Sequence, residues 1–182
     1  MRNGILRRSS EKGRPLLNDV WFAFFAWLLA FPLVLFLSQL LELLINWSFS
    51  ITQLPDQNAV LFLKSTFENP LYFILATLSI VVLAPLIEET LFRGFFQSYI
   101  RQHLGSKQAI LITSVCFSLF HYTGAQGLGN ISIIISLFLL SLFLGYIYEK
   151  RGSLLAPMVL HATFNAISVI NLYLFGGFTT GI

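Results

Sequence analysis

Long apolar stretches separated by short polar clusters dominate the chain, and their lengths predict membrane-spanning helices. A helix needs about 20 mainly apolar residues to cross a hydrocarbon core about 30 Å thick. The first such stretch follows Asp19 and Trp21 and runs to about Leu41, with Pro32 placed to bend it. Over 42–69 the pattern is mixed, because Pro55, Asp56, Lys64 and Glu68 interrupt the aromatics. This segment reads as a non-cytoplasmic excursion carrying a short interfacial helix. Apolar sequence resumes at Leu71 and meets Glu88, Glu89 and Arg93, after which GFFQSYIRQHLGSK mixes apolar and polar residues in the manner of a helix leaving the bilayer. Further spans are predicted from near Gln108 to His121, from Ile131 to Tyr148 and from Leu154 to Phe175. The glycine-rich TGAQGLGN breaks the chain between the first two of these, and the charged EKRG at 149–152 forms a tight turn before the last.

The predicted fold is all-α, a polytopic transmembrane helical bundle of about five spans. Residues 1–18 form a basic cytoplasmic segment, 19–69 the first span and its excursion, and 70–176 a four-helix core. Arg2, Arg7, Arg8, Lys12 and Arg14 place the N-terminus in the cytoplasm, and Arg101, His103 and Lys107 mark a turn on the same side. The long apolar run after the basic segment lacks a small-residue cleavage site, so it reads as a retained span. One tension follows from these boundaries. Glu88 falls toward the inner face, whereas His121 lies ~20 Å along its helix from Lys107. The two approach each other only if the helix from Leu71 continues past Glu88 and the glycine-rich segment turns back into the protein interior.

Composition narrows the picture further. Of 182 residues, 56% are hydrophobic and 10% charged, against roughly 25% charged in soluble domains. The bilayer is therefore the expected solvent, and the expected location is an integral one in a bacterial-type plasma membrane. The net charge of +3 is spread over short clusters at span ends; without a basic stripe, a nucleic-acid partner is excluded. The lone Cys116 sits in an apolar run and reads as a packing residue.

Charge inside an apolar helix costs roughly 3 kcal/mol at the bilayer centre, so ionisable residues there are candidates for function. Glu89 and Arg93 are spaced i,i+4 and can pair along the helix, while Glu88 is turned about 100° away and left free. A free carboxylate in a poorly hydrated cavity suits a general base acting on water. His121 closes FSLFH; in MVLHATFN, His161 and Asn165 stack i,i+4 after Pro157, pointing two hydrogen-bonding groups into one volume. Two chemistries can use this set. In one, Glu88 takes a proton from a water held by His121, while His161 and Asn165 donate to the developing oxyanion. In the other, Glu88, His121 and His161 bind a divalent ion such as zinc. No HExxH motif is present, and metal-independent water activation is preferred. His103 reads as solvated; Gln97, Gln126 and Asn171 are placed to line a cavity, although isolated amides near helix ends usually face water; Tyr146 and Tyr148 read as parts of an aromatic belt.

Three elements in this order, Glu88-Glu89-x-x-x-Arg93, Phe117-x-x-x-His121 and His161-x-x-x-Asn165, resemble the CAAX-protease and bacteriocin-processing (Abi) family of intramembrane peptidases. The tract GYIYEKRGSLLAPMVLHATFN is similar to that family's closing segment, and the likeness covers roughly 71–174. The resemblance implies that Glu88 activates water, that Glu89 and Arg93 support it, that His121 helps hold the water, and that His161 and Asn165 stabilise the tetrahedral intermediate. It also implies hydrolysis of a peptide bond in a membrane-associated or lipidated protein or peptide. Members related to the eukaryotic enzyme remove the last three residues of prenylated proteins, whereas bacterial relatives are linked to peptide maturation, bacteriocin self-immunity and protein sorting. This chain is shorter than the prenyl-protein enzymes and lacks several of their flanking spans. The competing reading is a non-enzymatic immunity or scaffold protein that keeps the polar cluster for packing or partner binding. A small transporter is a third reading, poorly supported by five spans without an evident repeat.

Overall fold

The computed structural model describes residues 15–50 and 54–175. Most of the basic N-terminal arm, residues 1–14, lies outside them, as do residues 51–53 of the excursion and the residues after 175. Among the described residues the chain is helical without strands: α1 (Leu16–Phe49), α2 (Asn58–Lys64), α3 (Pro70–Leu104), α4 (Ser106–Phe120), α5 (Gly129–Arg151) and α6 (Leu155–Phe175). Helices α1, α3, α5 and α6 are long and apolar enough to cross a membrane. The expected span at 108–121 is α4, whose 15 residues reach only ~22 Å. The polytopic helical bundle is as expected, with four full-length spans among the described residues, the shorter α4 and the seven-residue α2.

Side-chain contacts fix the helix directions. Asp19 near the start of α1 meets Arg151 at the end of α5, and Ser38 meets Ser132 further along the same pair, so α1 and α5 are antiparallel. Arg93 reaches Ser141, Gln97 reaches Gly145 and Arg101 reaches Glu149, each 48 residues on, so α3 and α5 run parallel. Apolar packing of Ala23, Val34, Leu140, Leu144, Ile147, Ala156 and Leu160 joins α1, α5 and α6 into the main core. Large outward side chains such as Phe36, Leu43, Leu71 and Phe120 remain exposed, as a surface facing lipid requires.

Three boundaries differ from expectation for physical reasons. Helix α1 continues past Leu41 to Phe49, because Leu43, Leu44 and Ile45 sustain the apolar run and Glu42 faces a cavity instead of ending the helix. Helix α3 continues to Leu104 and turns at Gly105, whose φ of +84° suits a residue without a Cβ. Glu88 then lies 16 residues before Leu104 and His121 15 residues after Ser106. At 1.5 Å per residue these are ~24 and ~22 Å from one turn, so the two residues share a level. Edge-to-face contacts of Phe92 with Phe117 and Phe120 hold that register. The earlier tension came from ending α3 too soon. In the glycine-rich break, Asn130 closes the loop by bonding Thr123 through both its amide groups and donating to the Gly127 carbonyl.

Candidate active site

Glu88 and Glu89 sit where α3 departs from α-helical form. The helix is π-helical over Ser79–Leu83 and again over Thr90–Gln97, with a short α-helical stretch, Ala84–Glu89, between. Such π segments are frequent at functional sites because they re-aim side chains and free backbone groups. Pro85 supplies one cause. The Ala84 N–H donates to Ser79 O, five residues back, and Pro85 has no N–H with which to continue that pattern onto Ile80. Asn165 on α6 takes up the Ile80 carbonyl, donating from Nδ2 at 2.9 Å.

Around Glu89 the charges are fully buried and closely matched. Its Oε1 accepts from Arg93 Nη1 at 3.0 Å and lies 3.0 Å from His161 Nδ1. A carboxylate paired with Arg93 can only accept, so His161 Nδ1 carries a proton and donates it. Arg93 is also held from α5, where Nη2 donates to Ser141 Oγ at 2.7 Å and to the Ser141 carbonyl at 3.2 Å, while its buried Nε has no partner. Its guanidinium also lies 4.7 Å from the centre of the Phe117 ring, a favourable cation–π arrangement. Glu88 differs from its neighbour. Its side chain keeps 21% of its surface accessible, and Oε2 lies 3.9 Å from His161 Nε2 without a hydrogen bond.

The structure thus brings Glu88, Glu89, Arg93 and His161 into one cluster. His121 caps α4 with Nδ1 on the Phe117 carbonyl at 2.9 Å, and its ring packs on Phe117 at 4.9 Å between centres. The same phenyl ring lies 6.0 Å from His161, so both imidazoles border one aromatic. Asn165 is adjacent through α6 but spends one amide proton on Ile80. Among the described residues no three His, Cys, Asp or Glu are grouped so as to hold a metal ion.

Several supporting residues were not expected. Gln97 is buried, not water-facing: Nε2 donates to the Gly145 carbonyl and to Glu149 Oε1. Gly145 is needed there, since a Cβ would stand 2.9 Å from Gln97 Oε1 and 3.2 Å from Ile110. Gln126 is likewise buried, whereas Asn171 and Tyr146 are exposed. Tyr148, expected in an aromatic belt, is buried and shares a 2.8 Å hydrogen bond with Ser98. The available signal was the stripe Ser141, Gly145, Glu149 on α5, matched at the same four-residue spacing by Arg93, Gln97 and Arg101 on α3.

A helical membrane bundle with a paired carboxylate–imidazole cluster at the meeting of its helices defines an integral membrane protein of the hydrolase type. A family model described as Type II CAAX prenyl endopeptidase Rce1-like matches residues 70–167. The chain belongs to this Rce1-like family, a family of CAAX-type intramembrane endopeptidases. No curated protein and no solved structure matches it.

Proposed function

We propose that the protein is an intramembrane endopeptidase that hydrolyses a peptide bond of a membrane-associated or lipidated protein or peptide with water activated by Glu88. The observation carrying this reading is the pair of carboxylates on one imidazole: Glu89 fixes His161 through Nδ1, and the partly accessible Glu88 stands 3.9 Å from Nε2. Glu88 takes a proton from water as the water oxygen attacks the scissile carbonyl carbon. His161, fixed by Glu89 through Nδ1, presents Nε2 to the reacting centre, and the second amide proton of Asn165 donates to the oxyanion. Collapse of the tetrahedral intermediate breaks the C–N bond, and Glu88 returns its proton to the departing amine. His121, at the same level, orients the water. These steps need only the chain's own groups, and the proposed mechanism is metal-independent. We further assign the Asp19–Arg151 end of the bundle, which adjoins the basic arm, to the cytoplasmic side.

The test compares membrane proteins and released peptides from cells carrying the native chain with those carrying Glu88→Gln. Products present only with the native chain are expected; identical product sets overturn the reading. Metal analysis and chelation test the mechanism separately, since stoichiometric zinc whose removal stops turnover replaces Glu88 as the sole water activator.

A further inference from the structure

A cavity of ≈520 Å³ lies between the second half of α1, the first half of α5 and the second half of α6, roofed by Leu54 to Leu63. It lies toward the end opposite the Asp19–Arg151 contact and meets the cluster described above only at Asn165 and Ile80. Its wall is polar for a membrane protein: Ser38, Glu42 and Asn46 on one side face Ser132, Ser136 and Ser168 on the other. Ser38 and Ser132 satisfy each other at 3.2 Å, and Asp56 in the roof is neutralised by Lys64 at 2.7 Å. Two groups are left with unused capacity. Ser136, only 6% accessible, makes no hydrogen bond through Oγ, and neither does Asn46 through Oδ1. Glu42 receives only a 3.3 Å bond from Ser38, and among the described residues no cation pairs with it. Polar groups in apolar surroundings are costly unless something satisfies them. With the exposed Glu42 carboxylate beside them, the unpaired amide oxygen and hydroxyl together ask for hydrogen-bond donors and positive charge.

We propose that this cavity is a substrate subsite that receives a cationic stretch of the peptide, with Glu42 as the counter-ion and Asn46 and Ser136 as hydrogen-bond partners. The assignment rests on the peptidase reading in one respect, namely that the bound peptide is a substrate. Continuity supplies the link: the cavity ends on Asn165, so a chain seated in it reaches the groups that would meet the scissile carbonyl. The exposed Glu42, Gln57 and Ser168 at its margin give it access to the surface. The charge preference should weaken as salt rises, because Glu42 is exposed.

The experiment measures binding and not turnover. Two dye-labelled, singly acylated peptides, identical except for two lysines or two glutamates beside the anchor, are titrated into Glu88→Gln protein in phosphatidylcholine nanodiscs. Empty nanodiscs give the lipid background. The lysine peptide is expected to bind about tenfold more tightly. Adding Glu42→Gln should remove most of that preference, and Glu42→Lys should reverse it; Glu42 is exposed and outside the core, so both substitutions keep the fold. Equal affinity for the two peptides, or a lysine preference that survives Glu42→Lys, overturns the subsite. Cleavage of either peptide by the Glu88→Gln protein counts against the peptidase mechanism alone, and the charge preference is then read with uncleavable peptoid versions.

Discussion

The bundle contains two polar regions that solve the same problem in opposite ways. Between α3, α5 and α6, Glu89, Arg93, Ser141 and His161 are buried and bonded to one another, and Gln97 continues the ladder to Gly145 and Glu149. Between α1, α5 and α6, Glu42, Asn46 and Ser136 line open space with hydrogen-bonding capacity left over. A connected network fixes geometry, because each member leaves its neighbours few alternatives, even with Glu89 Oε2, Arg93 Nε and Gln97 Oε1 left without a partner. Groups that bond to little else fix nothing by themselves and gain from an incoming partner. In the first region Glu88 stands apart, since it approaches the network at His161 yet keeps part of its side chain accessible, where Glu89 and Arg93 are fully buried. Placing one free acid against a rigid frame is what a water-activating site requires.

The sharpest way to break this comparison is to remove the exception. Glu88→Gln keeps the shape of the side chain and removes its basicity, so peptide cleavage should fall by about 10³-fold, within the usual range for a general base. Thermal unfolding in detergent should barely change, because the lost carboxylate makes no hydrogen bond through Oε2. Loss of folding would instead place Glu88 inside the frame. The next largest effect concerns the frame itself. Arg93→Met leaves Glu89 buried with less compensation and should destabilise the bundle by about 3–5 kcal/mol. Adding Glu89→Leu should recover much of that stability, as paired removal of a buried ion pair commonly does. Cleavage should not recover, because His161 Nδ1 loses the acceptor that holds its ring. Denaturant titration of the single and double variants separates the two roles.

Further along the ladder the effects shrink. Gln97→Leu removes donors to the Gly145 carbonyl and to Glu149 and should cost about 1–3 kcal/mol. Glu149 retains Arg101 at 3.4 Å and Ser106 at 2.9 Å, which limits the damage. A cost well above that range, read from the same titrations, would make the α3–α5 ladder one cooperative unit and not a set of separable rungs.

How much of this could be read from the sequence varied with the physics involved. The spans were legible because lipid demands long apolar runs, and the Glu89–Arg93 pair because helix periodicity makes i,i+4 residues neighbours. The depth of Glu88 was not, since α3 carries on through Gln97 and Arg101, polar residues whose partners lie on α5 and are invisible locally. The π segments also escaped notice. Pro85 hinted at a disturbance, but the identity of the group answering the Ile80 carbonyl, Asn165, is a tertiary fact. Sequence spacing suggested that Asn165 acts on substrate; in the fold its Nδ2 bridges α6 to α3, so its substitution would disturb helix packing as well as the proposed catalytic role.

The smallest predicted effect tests the second region most directly. Ser136→Ala deletes a hydroxyl that is nearly inaccessible and bonds to nothing, so no protein hydrogen bond is lost. Residues bonded into a network lose stability on such a change, by about 1 kcal/mol for an ordinary hydrogen bond. Here the change should fall within about ±0.5 kcal/mol, or favour the folded state slightly, because a buried polar group without a partner is itself a cost. Ser141→Ala is the matched control from the other region: Ser141 lies five residues further along α5, is equally buried, and loses its 2.7 Å bond to Arg93. Unfolding of the two variants side by side should show Ser141→Ala clearly destabilised and Ser136→Ala unmoved. Equal losses would mean that Ser136 is already satisfied in the folded protein, and the cavity would then have no spare hydroxyl to offer a peptide.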